Sequence, residues 1–447
     1  MADQMQHDRM GFVDGIAYTP TLDRLAGEGV HFTHAFTNHG QCVPSRAVFQ
    51  TGTYAHECRV LANHGFHGHT GKIDKNGPVL GRAFHDAGYE TAYFGKSHLI
   101  EPLGELGFEH HFASDKIMVE DDEARELGIE YVDKRLRRDY LSLFKAEEFL
   151  DSYKPGDRPL FFTFSTNLPH PPFYDEVNYI DRFDEESLPL PESYRAETFE
   201  TKPSFQREHV EDGRHGAGSE AEARHELAQY YSMIAATDEH FGRILRCFEE
   251  KGMLDNTIVL FFADHGDMML SHRTRLKGVL PYDELFRVPC ILRLPQGEGE
   301  SGVSRDEMIS IVQMPGTLTK LAGIDTADWF PHGDFSALAE GEPFEQTPCF
   351  VEEAGEELVF FEHYAAYWGV HPFYGARSRS EKYIRYYGED MEEFYDLEAD
   401  PHELANRADD PAYAERKRRL VRLAENWWKR TDGRSFDYYE RALFVGG

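Results

Sequence analysis

The chain has 447 residues, more than one hydrophobic core usually serves, so a large domain with a smaller companion is the first expectation. With 40% hydrophobic and 28% charged residues it suits a packed globular protein and excludes a disordered or collagen-like one. Its 80 acidic and 47 basic residues leave a formal charge of -33, a field that repels nucleic acid and anionic membrane surfaces.

No apolar run approaches the length that spans a bilayer, and Met1 to Phe12 lack the basic and apolar regions of a secretory signal, which reads as a cytoplasmic location. Cys42, Cys58, Cys247, Cys290 and Cys349 are scattered, without paired or zinc-ligand spacing, so no disulfide framework is expected.

In chain order, Thr19 is placed to cap a helix with Pro20 in its first turn, ended by Gly27 and Gly29. A second short helix runs from about Pro44 to Thr51-Gly52, leaving Cys42 beside unpaired backbone N–H groups. Val79 to Ala87 reads as a helix stopped by Gly88, and Glu90 to Phe94 as the strand after it. Leu160 to Phe164 is a continuous apolar strand. An amphipathic helix from about Glu226 to Glu250 leads to a strand at Thr257 to Phe262. The polar stretches Glu120–Arg138 and Asp175–Arg214 read as surface excursions.

Buried strands alternating with helices imply an α/β fold, an α/β/α sandwich around a mostly parallel central sheet. Beyond Ala322-Gly323-Ile324 the pattern changes. Tyr364–Arg379 and Lys382–Tyr387 read as short antiparallel strands, and Tyr413–Lys429 as a closing basic helix. The expectation is a main domain over residues 1–335 and a smaller C-terminal α+β domain, with a short antiparallel sheet, over 336–447.

Ligands of open α/β sheets bind at the carboxyl ends of the strands, so the residues that follow each strand carry the chemistry. Phe94 is followed by Gly95-Lys96-Ser97-His98, Phe164 leads to His170, and Phe262 leads to Ala263-Asp264-His265-Gly266-Asp267. These junctions bring cations, imidazoles and a carboxylate to one edge. Cys42, at a helix start that favours a thiolate or a bound oxyanion, adds a nucleophile.

Cys42-Val43-Pro44-Ser45-Arg46 with Gln50-Thr51-Gly52 resembles the signature of the type I sulfatases of the alkaline phosphatase superfamily. Gly88-Tyr89-Glu90-Thr91 through Gly95-Lys96-Ser97-His98 looks like the second signature of that family. The likeness continues through Asn167-Leu168-Pro169-His170-Pro171-Pro172, Asp264-His265-Gly266-Asp267, Lys277-Gly278 before Tyr282, and Phe394-Tyr395-Asp396-Leu397 with Asp400-Pro401. It spans almost the whole chain.

The resemblance implies hydrolysis of sulfate esters of small or carbohydrate alcohols. A maturation enzyme that reads Cys42, Pro44 and Arg46 would oxidise Cys42 to formylglycine, whose hydrate is the nucleophile. By the same likeness Arg46 and Lys96 hold the formylglycine and the sulfate. His98 takes a proton during sulfate expulsion, and His170 and Lys277 face the departing oxygen. One divalent cation is implied, calcium ahead of magnesium or manganese, with Asp3, Gln4, Asp264, His265 and residue 42 as ligands.

Gln4 and His265 resemble the choline-sulfatase and phosphonate-monoesterase branches, so a phosphonate monoester or phosphodiester hydrolase is the alternative enzyme. A non-catalytic protein that captures sulfated ligands is the alternative from another class. In family members an apolar strand precedes the upstream ligand pair, whereas Asp3 follows Met1-Ala2 directly. Either the start is assigned too late or the protein lacks that strand, and in the second case Asp3 and Gln4 are expected on a frayed terminus, with weakened metal binding. His64-Gly65-Phe66-His67-Gly68-His69 lies in a glycine-rich loop without a helix to fix its spacing, and is not read as a zinc site.

Overall fold

The computed structural model describes residues 1–64, 71–156, 158–175, 178–211, 216, 218–277, 280–342, 357–364, 371–387 and 391–435. Helix α1 is Pro20–Glu28. Its first N–H groups, those of Thr21 and Leu22, donate to the Asp238 carboxylate at 3.0 and 2.8 Å. Thr19, the expected cap, instead accepts from the Gly11 N–H and donates to Asp23. A carboxylate from a distant helix serves two orphan donors, where the hydroxyl would serve one.

Strand β1 (Val30–Phe36) leads into helix α2 (Cys42–Thr51), buried along its whole length and ended by Gly52 in the left-handed region at φ 61. Helix α3 (Leu80–Asp86), β2 (Glu90–Gly95) and β3 (His110–Ala113) follow, then α4 (Arg137–Ser152) and β4 (Leu160–Ser165). Helix α5 (Glu220–Glu250) begins earlier than the expected Glu226, because Ser219 and Glu222 form a capping box there. Next come β5 (Val259–Phe262), β6 (Arg287–Val288), β7 (Cys290–Arg293), β8 (Val303–Ser310) and α6 (Met314–Leu321).

Strands β3, β2 and β4 form a parallel sheet in that order. A second sheet runs β5-β7-β1-β6, with β8 parallel to β1 and β7 antiparallel to both its neighbours. Helices α1, α4 and α5 pack together on one side, and α2, α3 and α6 on the other. This is the expected α/β/α layering.

Strands β9 (Val359–His363), β10 (Phe373–Arg377), β11 (Glu381–Tyr386) and β12 (Glu392–Asp396) make an antiparallel sheet crossed by α7 (Ala414–Arg430). Of the expected strand Tyr364–Arg379, residues 365–370 lie outside the described residues. Phe360 of β9 stacks on Trp427 of α7 at 5.0 Å between ring centroids, and one apolar cluster runs from Met1 to Trp427.

The two polar stretches are not mere surface excursions. Ala124, Ile129, Val132 and Leu136 form a small core with Leu168 and Met233. Lys202 and Glu197 pair at 2.5 Å in full burial, and Gln206 donates to Glu393 of β12. Apolar residues this thinly spread among charges show no period, so the sequence reading missed them. Among the described residues no helix is long and apolar enough to cross a membrane.

Candidate active site

Residues Met1–Asp3 run between the carboxyl ends of β4 and β5 and are bonded on both sides. The Met1 ammonium donates to Phe164 O at 2.8 Å and Thr166 N–H to Met1 O at 3.1 Å. On the other side Ala2 N–H donates to Phe262 O at 2.9 Å and Asp264 N–H to Ala2 O at 3.2 Å. Asp3 and Gln4 are therefore fully buried, and the expected frayed terminus is not found. Backbone pairing to two strands outweighs the freedom of a chain end.

Cys42 opens α2, and Lys96 follows β2 across Gly95. A Cβ at Gly95 would stand 1.8 Å from Ser165 O, and its φ is 110. Only glycine lets the strand end approach β4 this closely and turn Lys96 inward. Lys96 N–H then donates to Ser165 O at 2.9 Å.

Around Cys42 the expected residues converge. Its Sγ lies 3.1 Å from Lys277 Nζ, 3.2 Å from His265 Nε2 and 3.6 Å from Asp3 Oδ1. Lys277 Nζ also donates to His170 Nε2 at 3.1 Å, while His170 Nδ1 faces Pro171 O at 2.6 Å. That pattern makes His170 a neutral ring with the proton on Nδ1. Lys96 pairs with Asp3 Oδ2.

Arg46 binds the carboxylates rather than residue 42. Its Nε reaches Asp264 Oδ2 at 2.7 Å, Nη2 reaches Asp3 Oδ2 at 3.3 Å, and Nη1 donates to Lys96 O and Ser165 Oγ. His98 stands at φ 58 with its N–H on Asp115, and its Nδ1 is buried without a partner. Among the described contacts its ring does not touch Cys42.

Burial opposes ionisation of Cys42, yet Lys277, Lys96 and His265 outweigh it and hold the thiol well below its usual range. Burial and Cys42 likewise oppose the ionisation of Asp3, which the Lys96 ammonium and the Arg46 guanidinium hold well below the usual carboxylate range. Burial and Lys277 lower His170. The site sets Lys277, Lys96 and Arg46 with the Asp3 and Asp264 carboxylates around one buried side chain, an arrangement able to stabilise charge as it develops there.

Ligand atoms of Asp3, Cys42, Asp264 and His265 lie within 4.8 Å of one another. Each carboxylate gives Oδ2 to Arg46. Their Oδ1 atoms stand 3.9 Å (Asp3) and 3.8 Å (Asp264) from His265 Nε2. His265 Nδ1 lies 2.8 Å from Gly266 O, which leaves Nε2 facing the cluster. Gln4 Oε1 is buried without a partner, while its amide nitrogen is held by Asp267 at 2.5 Å. Hard oxygens, one of them an orphan, with an imidazole beside them fit a divalent cation.

Three supporting residues were not found from sequence. Asp267 stood in a quoted motif without a role, Asp115 holds Ser97 and His98, and Asp139 holds Asn167 N–H at 2.5 Å. Their partners are distant in the chain or met only through backbone, so no spacing announces them. Of the histidine-rich loop, residues 65–70 lie outside the described residues.

An α/β sandwich that gathers a nucleophile, two lysines and a carboxylate pair at its strand ends is the scaffold of a hydrolase acting on anionic esters. A family model described as Sulfatase matches residues 1–324, and one described as N-sulphoglucosamine sulphohydrolase, C-terminal, matches residues 276–428. The chain belongs to the sulfatase family, and it is a sulfuric ester hydrolase.

An arylsulfatase of Clostridium perfringens is 27% identical over 100% of this chain and 96% of its own length. The solved structure of BT4656 in complex with its substrate D-glucosamine-2-N,6-O-disulfate superposes with a TM-score of 0.81 at 20% identity, over 98% of both chains. The phosphonate monoester hydrolase SpPMH from Silicibacter pomeroyi gives 0.80 at 20% identity, over 96% of this chain and 94% of that one. These two likenesses concern the fold alone.

Proposed function

We propose that the protein hydrolyses sulfate esters of small or carbohydrate alcohols, with residue 42 as a formylglycine hydrate and one divalent cation, calcium foremost. The observation that carries this reading is the side chain of residue 42 set 3.1 Å from Lys277 and 3.2 Å from His265, beside Asp3. A maturation enzyme would make the formylglycine. Cys42, Pro44 and Arg46 are all buried, so it would have to read them before the chain folds.

Asp3, Gln4, Asp264, His265 and residue 42 would hold the cation, which when bound supplies positive charge that offsets the sulfate and favours the ionised nucleophile. Arg46 and Lys96 orient Asp3, and Arg46 also orients Asp264. One hydroxyl of the residue 42 hydrate, having lost its proton to solvent, bonds to sulfur as the S–O bond to the alcohol breaks. The Lys277 ammonium, which already reaches both residue 42 and His170, stabilises or protonates the departing oxygen, with His170 as its neutral neighbour. In the second step the other hydroxyl loses its proton to His98, the base that the family resemblance implies. Its ring must turn toward residue 42 to take that proton, because the two do not touch among the described contacts. The carbon–oxygen bond to sulfate then breaks, the aldehyde returns and water rehydrates it.

The cytoplasm is the proposed location. Cys42, Cys58, Cys247 and Cys290 are free thiols, as a reducing compartment allows. Residues 1–335 are proposed as the catalytic domain and 336–447 as the smaller one.

Peptide mass spectrometry of protein from its native host tests the nucleophile, since conversion of cysteine to the aldehyde lowers the mass by about 18 Da. An unshifted Cys42 peptide in active protein would remove the covalent route. A matched nitrophenyl sulfate and phenylphosphonate pair tests the substrate class. Sulfate turnover should dominate, and dominant phosphonate turnover would replace the sulfatase reading.

A further inference from the structure

Lys277 is 9% exposed, and the chain that brings it to the site takes a strained path. Met269, Leu270, His272, Arg273 and Leu276 all stand in the left-handed region, at φ 33, 76, 50, 57 and 62. Side chains crowd their own backbone there, so local preference does not choose this path and contacts from elsewhere must hold it. Two backbone bonds close a hairpin just ahead of Lys277, from Met268 N–H to Leu276 O at 2.8 Å and from Leu270 N–H to Thr274 O at 2.9 Å. Its tip is held from outside. His272 N–H donates to Ser193 Oγ at 3.1 Å, and the His272 ring lies flat on Tyr282 with 3.7 Å between centroids. His272 precedes Lys277 in the chain and Tyr282 follows it, so this stack closes the loop that carries the ammonium.

The stack is gripped in turn by a buried ion pair from the stretch Asp175–Arg214. Glu197 Oε2 lies 2.5 Å from His272 Nδ1 and 2.5 Å from Lys202 Nζ, and Lys202 Nζ donates to Tyr282 Oη at 2.8 Å. The pair therefore touches both rings, and both its side chains are fully buried. Burial and Lys202 push His272 down to about 3, which keeps the imidazole neutral with Nδ1–H as the donor to Glu197. Tyr282 Oη gives its own hydrogen to Gln206 Oε1 at 2.5 Å, and Gln206 reaches Glu393 of β12. A buried ion pair is a poor way to gain stability, because apolar side chains of the same volume often serve as well. Its hydrogen bonds have direction, however, and they admit one arrangement of the two rings.

We propose that Glu197 and Lys202 are positioning residues for the reaction: by locking the His272–Tyr282 stack they set the Lys277 ammonium between residue 42 and His170. The proposal rests on Lys277 acting at the departing oxygen, as in the function proposed above. Through the backbone of this loop, the polar stretch governs how readily a poor leaving group is expelled.

The test measures kcat/KM of the full chain, with residue 42 matured, on aryl sulfates whose phenols range from strongly to weakly acidic. Lys202→Met removes the ammonium and keeps the length, and Tyr282→Phe removes one hydroxyl and keeps the stack. Each should lose about 10- to 100-fold on the least acidic phenol and less than about threefold on the most acidic, because only a poor leaving group needs Lys277. Lys277→Ala should steepen the dependence further, and adding Lys202→Met to it should cost less than about twofold more. Equal losses across all the phenols, or a lower Tm with an unchanged slope, would mean a structural role and overturn the proposal. Full additivity in the double variant would do the same. If Lys277→Ala leaves the slope unchanged, the role of Lys277 fails and its positioning falls with it; if Lys277→Ala steepens the slope and the other two variants do not, the positioning alone fails. Should Lys202→Met not fold, Tyr282→Phe decides by itself.

Discussion

Lys277 is the residue on which the proposed chemistry leans most, because its ammonium touches both the residue 42 side chain and His170. Lys277→Ala should lower kcat/KM about 100- to 1000-fold, the loss expected of one donor aimed at a developing oxyanion. Circular dichroism and Tm should stay near wild type, and unchanged kcat/KM would take Lys277 out of the site. Asp267 acts one step further out. Burial raises its pKa to about 6, and its carboxylate accepts from the Gln4 amide nitrogen, which leaves Gln4 Oε1 buried without a partner. Asp267→Ala should therefore weaken divalent cation binding about 10- to 100-fold, as calorimetry on the apo protein would measure. Calcium, magnesium and manganese titrated in parallel would rank the ion.

At the scale of elements, the short helix Ala55–Cys58 is tied to β9 and to the end of α7 through His56. The ring bonds Glu362 at 2.5 Å on one side and the Thr431 hydroxyl at 2.8 Å on the other. Burial opposes its charge, but Glu362 prevails and raises His56 above its ordinary 6.5. A group whose folded pKa is raised contributes stability that is complete below the unfolded value and lost as pH climbs through the folded one. The Tm of the wild type should thus fall as pH rises from about 6.5 upward, and His56→Gln should flatten that slope. The same substitution leaves Glu362 buried with one partner fewer and should cost about 3 kcal/mol at neutral pH, read from denaturant unfolding. A slope of the same size in both proteins would place the pH dependence elsewhere.

For the whole molecule, the formal charge of -33 sets a repulsion that the compact state must bear. Raising salt from about 0.05 to 0.5 M shortens the screening length and should raise Tm by several degrees. A flat or falling Tm would show that local ion pairs, and not net repulsion, dominate the electrostatics. The apolar cluster continuous from Met1 to Trp427 also argues that the two proposed domains unfold together.

Much of this was legible in the chain. The elements α1, α3, β2, β4, β5 and α7 follow from periodicity and from Gly and Pro punctuation, which act within a few residues. The converging side chains at 96, 170, 264 and 265 follow from the rule that strand ends carry function and Cys42 from its helix start, whereas Lys277 came only from the resemblance to the sulfatase motifs. Local physics does not say what distant segments share. Asp238 capping α1, Asp267 aiming Gln4, Arg46 bound to two carboxylates, and the buried cores of the polar insertions are all contacts between remote parts of the chain. The tertiary structure alone decided that Asp3 is locked between two strands rather than frayed, because its order comes from backbone bonds to Phe262, Asp264 and Leu168 and not from its own neighbours.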